Sequence, residues 1–277
     1  MHYKNQQVLL ASKHQKERVI GPVFFDKLQC KIFTSDFDTD QFGTFTGEVP
    51  RPQNAYETCI LKAKTAAIAT NNSLSIASEG SFGTHPAIPF LASDHEIMVF
   101  VDLKKNWVIA EQLVTPKTNY KMLTLHPGED IEPFLHSVEF GSHALTIQVN
   151  NTKEIIAKGI KDKSELNKLI KKGFTKTDEL LLATDMRAMM NPSRMEIISL
   201  LAEKLAARIL SCCNSCGAPG FGFIKTEENL SCSLCDGPTS FHRFEIWGCI
   251  ACDNKEKKPR QDNLEKADPT YCNHCNP

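Results

Sequence analysis

Apolar blocks alternate with polar stretches along this chain, and their lengths switch between those of strands and those of helices. Val8-Leu9-Leu10-Ala11-Ser12 reads as a short buried strand. Ser12 then caps a helical segment reaching about Leu28, which Gly21-Pro22 should kink or split in two. Cys30–Thr34 supplies a second strand, so the chain opens as β-α-β. Residues 35–52 are loop-like. A capping-box-like pair, Asn54 and Glu57, starts a helix that runs to about Thr70. Its inner face carries Cys59, Ala63, Ala66 and Ala67, small enough for close approach to a sheet. Leu74–Ser78 is a strand ending at Glu79-Gly80-Ser81-Phe82-Gly83. Residues 96–101 and 107–114 form an antiparallel pair around Lys104-Lys105-Asn106.

The second half continues with a helix near 129–138 and a strand at 143–149. Asp162 and Glu165 bracket another capping box, and Gly173 ends that helix. Residues 180–184 form a strand. Asn191-Pro192 opens a long helix with the stripe Met195, Ile198, Leu201/Ala202, Leu205 and Ile209. Strands alternating with helices predict an α/β domain over 1–210, a layered mixed sheet flanked by helices. Residues 211–277 form a small zinc-ribbon-like module, within which 253–268 are charged and exposed.

Four Cys-x-x-Cys clips define that module: Cys213/Cys216, Cys232/Cys235, Cys249/Cys252 and Cys272/Cys275. Eight thiolates serve two tetrahedral zinc ions, and four sulfurs per ion leave no open position for a reacting water, so the zinc is structural. The gaps between clips are 15, 13 and 19 residues. The first and third suit sequential pairing of clips, which is preferred. An interleaved arrangement, clips one and three against two and four, stays open. Cys212 breaks the spacing and is not a ligand, His242 and His274 are not needed, and Cys30 and Cys59 read as small buried hydrophobes. The aromatics Phe221, Phe223, Phe241, Phe244 and Trp247 should form the module's core or a seam.

The whole chain has 277 residues and a net charge of -1. Residues 211–277 hold seven basic against nine acidic side chains, before the negative charge of the zinc–thiolate centres. That balance argues against nucleic acid as a partner. No apolar run reaches the roughly 18 residues of a membrane span. Residues 1–7 lack the apolar core of a signal peptide. The expectation is a cytoplasmic protein with reduced cysteines and no membrane partner.

Three clusters carry candidate chemistry. Ser12, Lys13 and Lys16 lie where a first strand meets a helix, a place that favours anions. Asp36, Asp38 and Asp40 alternate in the following loop, suited to magnesium or manganese held partly by a ligand's phosphates. Glu79 and His85 follow one strand, and Asp185, Arg187, Asn191 and Arg194 follow another. Ligands of open α/β sheets collect beyond such strand ends. Glu79, with Asp36, Asp38 or Asp185, is expected to bind the metal or act as base, with His85 as a further catalytic candidate. Ser12, Lys13, Lys16, Arg187, Asn191 and Arg194 are expected to hold phosphate. Carboxylates beside cations suit phosphoanhydride or phosphoester hydrolysis. The alternative is a non-catalytic ligand sensor or adaptor. In either case the cysteine module covers the site, pairs two copies or recruits a protein partner.

The stretches FDTDQFGTFTGE (37–48), IASEGSFGTHPAIPF (76–90), TDMRAMMNPSRM (184–195) and ADPTYCNHCNP (267–277) resemble an uncharacterised bacterial family, a domain of unknown function with a C-terminal cysteine-rich tail. That family brings no assigned activity. Ser12, His14 and the helix before Glu79-Gly80 are also similar to the inosine/xanthosine triphosphatases. The resemblance implies their fold, a phosphate loop after the first strand, and a nucleotide-like substrate. The chain departs from their pattern at His14, Gln15 and Glu17, and Lys16 falls one residue early.

Overall fold

The computed structural model describes residues 2–44, 46–86, 88–260 and 262–277, with Pro89 described by its backbone. Two compact units emerge, Tyr3–Ala206 and a second made of Ala207–Pro277 with His2.

The first unit holds two sheets rather than one. Strands β1 (Gln7–Leu10), β2 (Lys31–Thr34), β3 (Leu74–His85), β4 (Ile88–Asp102) and β5 (Trp107–Thr115) make a mixed sheet in the order β2-β1-β3-β4-β5. Its β2, β1 and β3 are parallel, whereas β3, β4 and β5 form an antiparallel meander. Helix α1 (Glu17–Leu28) joins β1 to β2, and α2 (Ala55–Ala69) leads into β3. The small inner face of α2 lies as its sequence pattern requires: Cys59, Ala63 and Ala66 are buried in one core with Leu9, Ala77, Ile97 and Val99, and Ala67 is buried as well. Asn54 caps α2 by accepting from the Glu57 N–H at 2.9 Å.

Three expectations fail in this half. Helix α1 starts at Glu17, not Ser12, whose hydroxyl instead accepts from the His14 N–H. Pro22 does not split it: the carbonyl that Pro22 leaves without its helical donor belongs to exposed Arg18, on the solvent side. Strand β3 also runs on to His85, so Glu79-Gly80-Ser81 sits inside a strand rather than after one. The long pairing with β4 carries it there.

Strands β6 (Met122–Leu125), β7 (Leu145–Val149), β8 (Ile155–Ile160) and β9 (Leu180–Thr184) form a separate antiparallel sheet, β6-β9-β7-β8. Short α3 (Glu132–Ser137) and α4 (Lys163–Gly173) bury Leu135 and Leu166 in a core with Leu145, Ile147, Leu180 and Leu182. Asp162 caps α4 through the Glu165 N–H. Helix α5 (Pro192–Leu210) buries Ile198, Leu201, Ala202, Leu205 and Ile209, with Met195 half-buried. The division between the two units falls within it.

The second unit is a three-stranded antiparallel sheet of β10 (Gly222–Ser231), β11 (Pro238–Gly248) and β12 (Lys255–Pro259). The charged stretch after residue 252 therefore contains an edge strand. Only part of the aromatic set forms a core. Phe221 is buried and Phe223 exposed, while Phe244, Trp247 and Phe241 lie under the cations of Lys257, Lys258 and Arg260, at 4.1, 4.0 and 5.3 Å from the ring centres.

Gly173 closes α4 for a steric reason rather than by adopting a left-handed conformation. A Cβ there would meet both Leu180 methyls at 2.8 Å and Ile156 at 3.1 Å. Gly173→Ala should destabilise the chain by about 1–3 kcal/mol through overpacking, read as a lowered urea midpoint with unchanged slope.

Candidate functional site

A cleft of about 580 Å³ opens within the Tyr3–Ala206 unit. Much of its lining is charged. Lys13 and His14 reach it from the β1–α1 loop, and Asp40, Glu48 and Arg51 from the loop before α2. Lys158 reaches it from β8, and Asp185 and Arg187 from the turn after β9. The neutral lining residues include Phe82 and Tyr120, whose rings lie 5.8 Å apart, with Met122, Thr146, Gln148 and Met186.

Each cation facing the cleft is met by a carboxylate. Arg187 donates through Nε and Nη2 to the wholly buried Asp185 at 3.0 and 2.6 Å. Asp185 also accepts from the Arg187 and Gly159 backbone N–H groups at 3.0 Å. Gly159 adopts φ +76, and a Cβ there would crowd Arg187 Nη2 at 3.2 Å. Arg51 donates to Glu79 at 3.2 Å and to the Gly80 carbonyl at 3.0 Å. Lys62 of α2 holds the other Glu79 oxygen. Burial works to raise the Glu79 carboxyl, but the Lys62 ammonium and Arg51 outweigh it and hold the group below its ordinary value. Lys13 pairs with Asp38 at 2.7 Å, and Lys158 with Glu48.

Behind the cleft lies a second, buried charge cluster. Arg194, 1% exposed, donates to Glu96 Oε1 at 2.5 Å and to the Met186 carbonyl, and stacks over Phe82 at 5.2 Å. Lys16 turns inward to Ser78 Oγ at 2.8 Å; burial, then Arg194, pushes its ammonium down to about 7. Burial and the four neighbouring cations Lys16, Arg194, Lys62 and Arg187 press His14 down to about 3, so it is neutral at physiological pH. Asp94 lies two residues before Glu96 on β4. Its burial and the Glu96 charge raise its carboxyl to about 8.

These placements correct several expectations. Arg194 and Lys16 are buried partners of Glu96 and Ser78, not phosphate ligands facing the cleft. Asn191 caps α5, accepting from the Arg194 N–H at 3.0 Å and donating to Asn119 at 2.8 Å. His85 ends β3 and is absent from the cleft lining, and Ser12 and Asp36 line a separate depression. Glu79, Asp36, Asp38 and Asp185 do not converge on one ion: among the described residues, the groups of three or more metal-capable side chains are two cysteine tetrads. Lys13, Asp185 and Arg187 do meet at the cleft, and Glu79 adjoins it through Arg51.

Sequence reasoning missed Arg51, Lys62, Lys158, Tyr120, Gln148 and the Asp94/Glu96 pair. Some signals were present. Lys62 occupies the same helical stripe as Thr58 and Ala66. Asp94 and Glu96 continue the alternate buried positions of Met98 and Phe100. A charge on a buried stripe announces a buried partner. Arg51 and Lys158 carry no local signal of this kind.

The tetrads are Cys213, Cys216, Cys249 and Cys252, and Cys232, Cys235, Cys272 and Cys275, so the clips interleave and the preferred sequential pairing is wrong. Gly222 at the start of β10 pairs with Gly248 at the end of β11, which sets clip one beside clip three. Ten-residue β10 carries clip two to the far end, roughly 30 Å away at ~3.3 Å per residue. The Sγ–Sγ distances of 3.6 and 3.8 Å match the ~3.8 Å edge of a tetrahedron with 2.3 Å metal–sulfur bonds. Asn254, the Ala251 N–H and the Leu234 N–H donate to cysteine sulfurs at 3.2–3.4 Å, as thiolate ligands require. Cys212 lies outside both tetrads.

Two measurements test this geometry. Folded Asp94 keeps a proton that the unfolded chain releases near 3.8, so its stabilising effect is complete below that pH and disappears as pH rises through about 8. Asp94→Asn should flatten that decline in urea titrations between pH 4 and 8. For the tetrads, Cys213→Ser with Cys249→Ser should release one metal equivalent, because both serve one ion. Cys213→Ser with Cys232→Ser should release two, counted by elemental analysis.

No helix among the described residues is long and apolar enough to cross a membrane. No curated protein matches the chain. A family model does, from Lys62 in α2 to the last residue, covering both tetrads and the Asp185–Arg194 turn but not the β1–α1 loop or the acidic loop after β2. The chain belongs to the family described as Domain of unknown function (DUF6671), matched over residues 62–277.

Proposed function

We propose that the Tyr3–Ala206 unit binds a phosphorylated, nucleotide-like small molecule and hydrolyses its phosphoanhydride or phosphoester bond. The observation that carries this reading is one cleft lined by both cations and rings. Lys13, Arg51, Lys158 and Arg187 line it, suited to phosphate oxygens. Phe82, Tyr120 and the Gln148 amide line it too, suited to a planar ring with polar edges. In this reading Arg187, held rigid by Asp185, grips phosphate, and Glu79 positions Arg51. Magnesium or manganese would arrive on the phosphates and find Asp40, a cleft carboxylate that makes no ion pair among the described residues.

The metal of the cysteine tetrads is zinc in this reading: eight soft thiolates in two tetrahedral sets suit it, and they close the coordination shell. Reduced thiolates of this kind belong to a reducing, cytoplasmic setting. The pairing of Glu79, Asp38 and Asp185 with cations favours a second reading, a ligand sensor without turnover whose zinc module recruits a partner.

A panel of nucleoside di- and triphosphates with magnesium or manganese, assayed for phosphate and pyrophosphate release, decides between them. Hydrolysis should occur, and Arg187→Ala should lower kcat/KM by about 10²-fold. Ligand-induced thermal stabilisation with no turnover selects the sensor. Neither stabilisation nor turnover removes both.

A further inference from the structure

The acidic stretch between β2 and α2 was singled out as a metal-binding loop, and the cleft leaves it another role. The stretch is fastened at two points. Asp38 Oδ1 accepts from Lys13 Nζ at 2.7 Å, and the Glu48 carboxylate holds Lys158 Nζ. Lys13 follows β1 in the mixed sheet, and Lys158 belongs to β8 in the antiparallel sheet. One loop thus reaches cations from both sheets, and both lysines line the cleft. The contacts hold both carboxylates ionised: the Lys13 and Lys158 hydrogen bonds lower Asp38 and Glu48 below their usual values.

The four ion pairs at the cleft fall into two kinds. Arg187 and Arg51 are gripped by carboxylates that are 1% and 13% exposed. Removing such a partner strands a buried charge, so these pairs stay. The lysine pairs are open, with side chains 40% and 59% exposed for Lys13–Asp38 and 25% and 47% for Lys158–Glu48. Exposed pairs contribute little, and a phosphate oxygen offers the ammonium an equal partner. A ligand anion entering the cleft meets cations already occupied by anions, and only two of those anions give way cheaply.

We propose that Asp38 and Glu48 are internal stand-ins for the ligand's anionic groups, each holding a cleft lysine until the ligand displaces it. The inference rests on the cleft being a phosphate site and specifies its regulation. Two carboxylates leave only when two anionic groups replace them, so the cleft selects diphosphate-like ligands over single phosphates. The loop sets affinity and selectivity together.

The test is isothermal titration of the full, zinc-loaded chain with inorganic pyrophosphate and with orthophosphate at fixed low ionic strength. Asp38→Asn and Glu48→Gln keep shape and remove charge, and both residues are exposed, so folding is unaffected. Each should tighten pyrophosphate binding about two- to five-fold, the difference an exposed pair makes. The double variant should multiply the two gains for pyrophosphate, while for orthophosphate it should do no better than the stronger single variant. Glu57→Gln removes an equal charge from an exposed position with no ion pair among the described residues and should change nothing. Wild-type binding that the double variant leaves unaltered overturns the stand-in role while leaving the phosphate site intact. A gain matched by Glu57→Gln also overturns it, as a bulk-charge effect. Failure of both anions to bind any form removes the phosphate reading, and this inference with it.

Discussion

The first unit is organised around the cost of holding cations close together away from water. Lys16, Lys62, Arg187 and Arg194 all raise the potential at His14. Such a group is stable only if each positive charge finds a negative or dipolar partner. Glu79 answers Lys62 and Arg51, Glu96 answers Arg194, Asp185 answers Arg187, and Ser78 answers Lys16. All of these pairs except Asp185–Arg187, two residues apart in one turn, join separate segments. Lys62–Glu79 ties α2 to β3, Arg194–Glu96 ties α5 to β4, and the Asp185 carboxylate ties the turn after β9 to Gly159 of β8. Charge pairing thus does for this end of the sheets what apolar packing does for the cores beneath.

In the second unit the governing constraint is strand length. A gap in sequence measures chain, whereas a metal site requires sulfurs within a few ångströms of one another. Spacings of 15 and 19 residues between clips are compatible with one site if the intervening chain loops back at once. Here it runs out along β10 and returns along β11, so the clips that meet are those at matching ends of the hairpin. The two cysteine tetrads therefore lie at opposite ends of one small sheet, which has few apolar residues of its own to bury.

That contrast explains what was legible in the sequence. Local chemistry was readable: the Asn54 and Asp162 caps, the small face of α2, the strand at 180–184, the Asn191-Pro192 helix start and the ligand identity of eight cysteines all depend on neighbours within a turn or two. Features decided by distant contacts were not. Gly173 lies at a helix end, but Leu180 is what requires it. Strand β8 was overlooked because Gly159, at positive φ, breaks its pattern in order to bond Asp185. Of the candidate site residues, Lys13, Asp185 and Arg187 line one cleft. Which cations face that cleft and which are buried behind it depends on side-chain direction along β3 and β4, and the pattern reading stopped β3 at Ser78.

An ion-paired cleft behaves differently from a bare cationic one. With a net charge of -1 on the chain and each cleft cation matched by an acid, little long-range field draws an anion in. For the anionic ligand proposed above, association would depend on short-range exchange of one anionic partner for another. Binding free energy is the difference between two sets of similar contacts, so charge alone gives modest affinity. Geometry adds to charge here: the planar fork of Arg187 is fixed by Asp185, and the rings and amide of Phe82, Tyr120 and Gln148 line the same cleft.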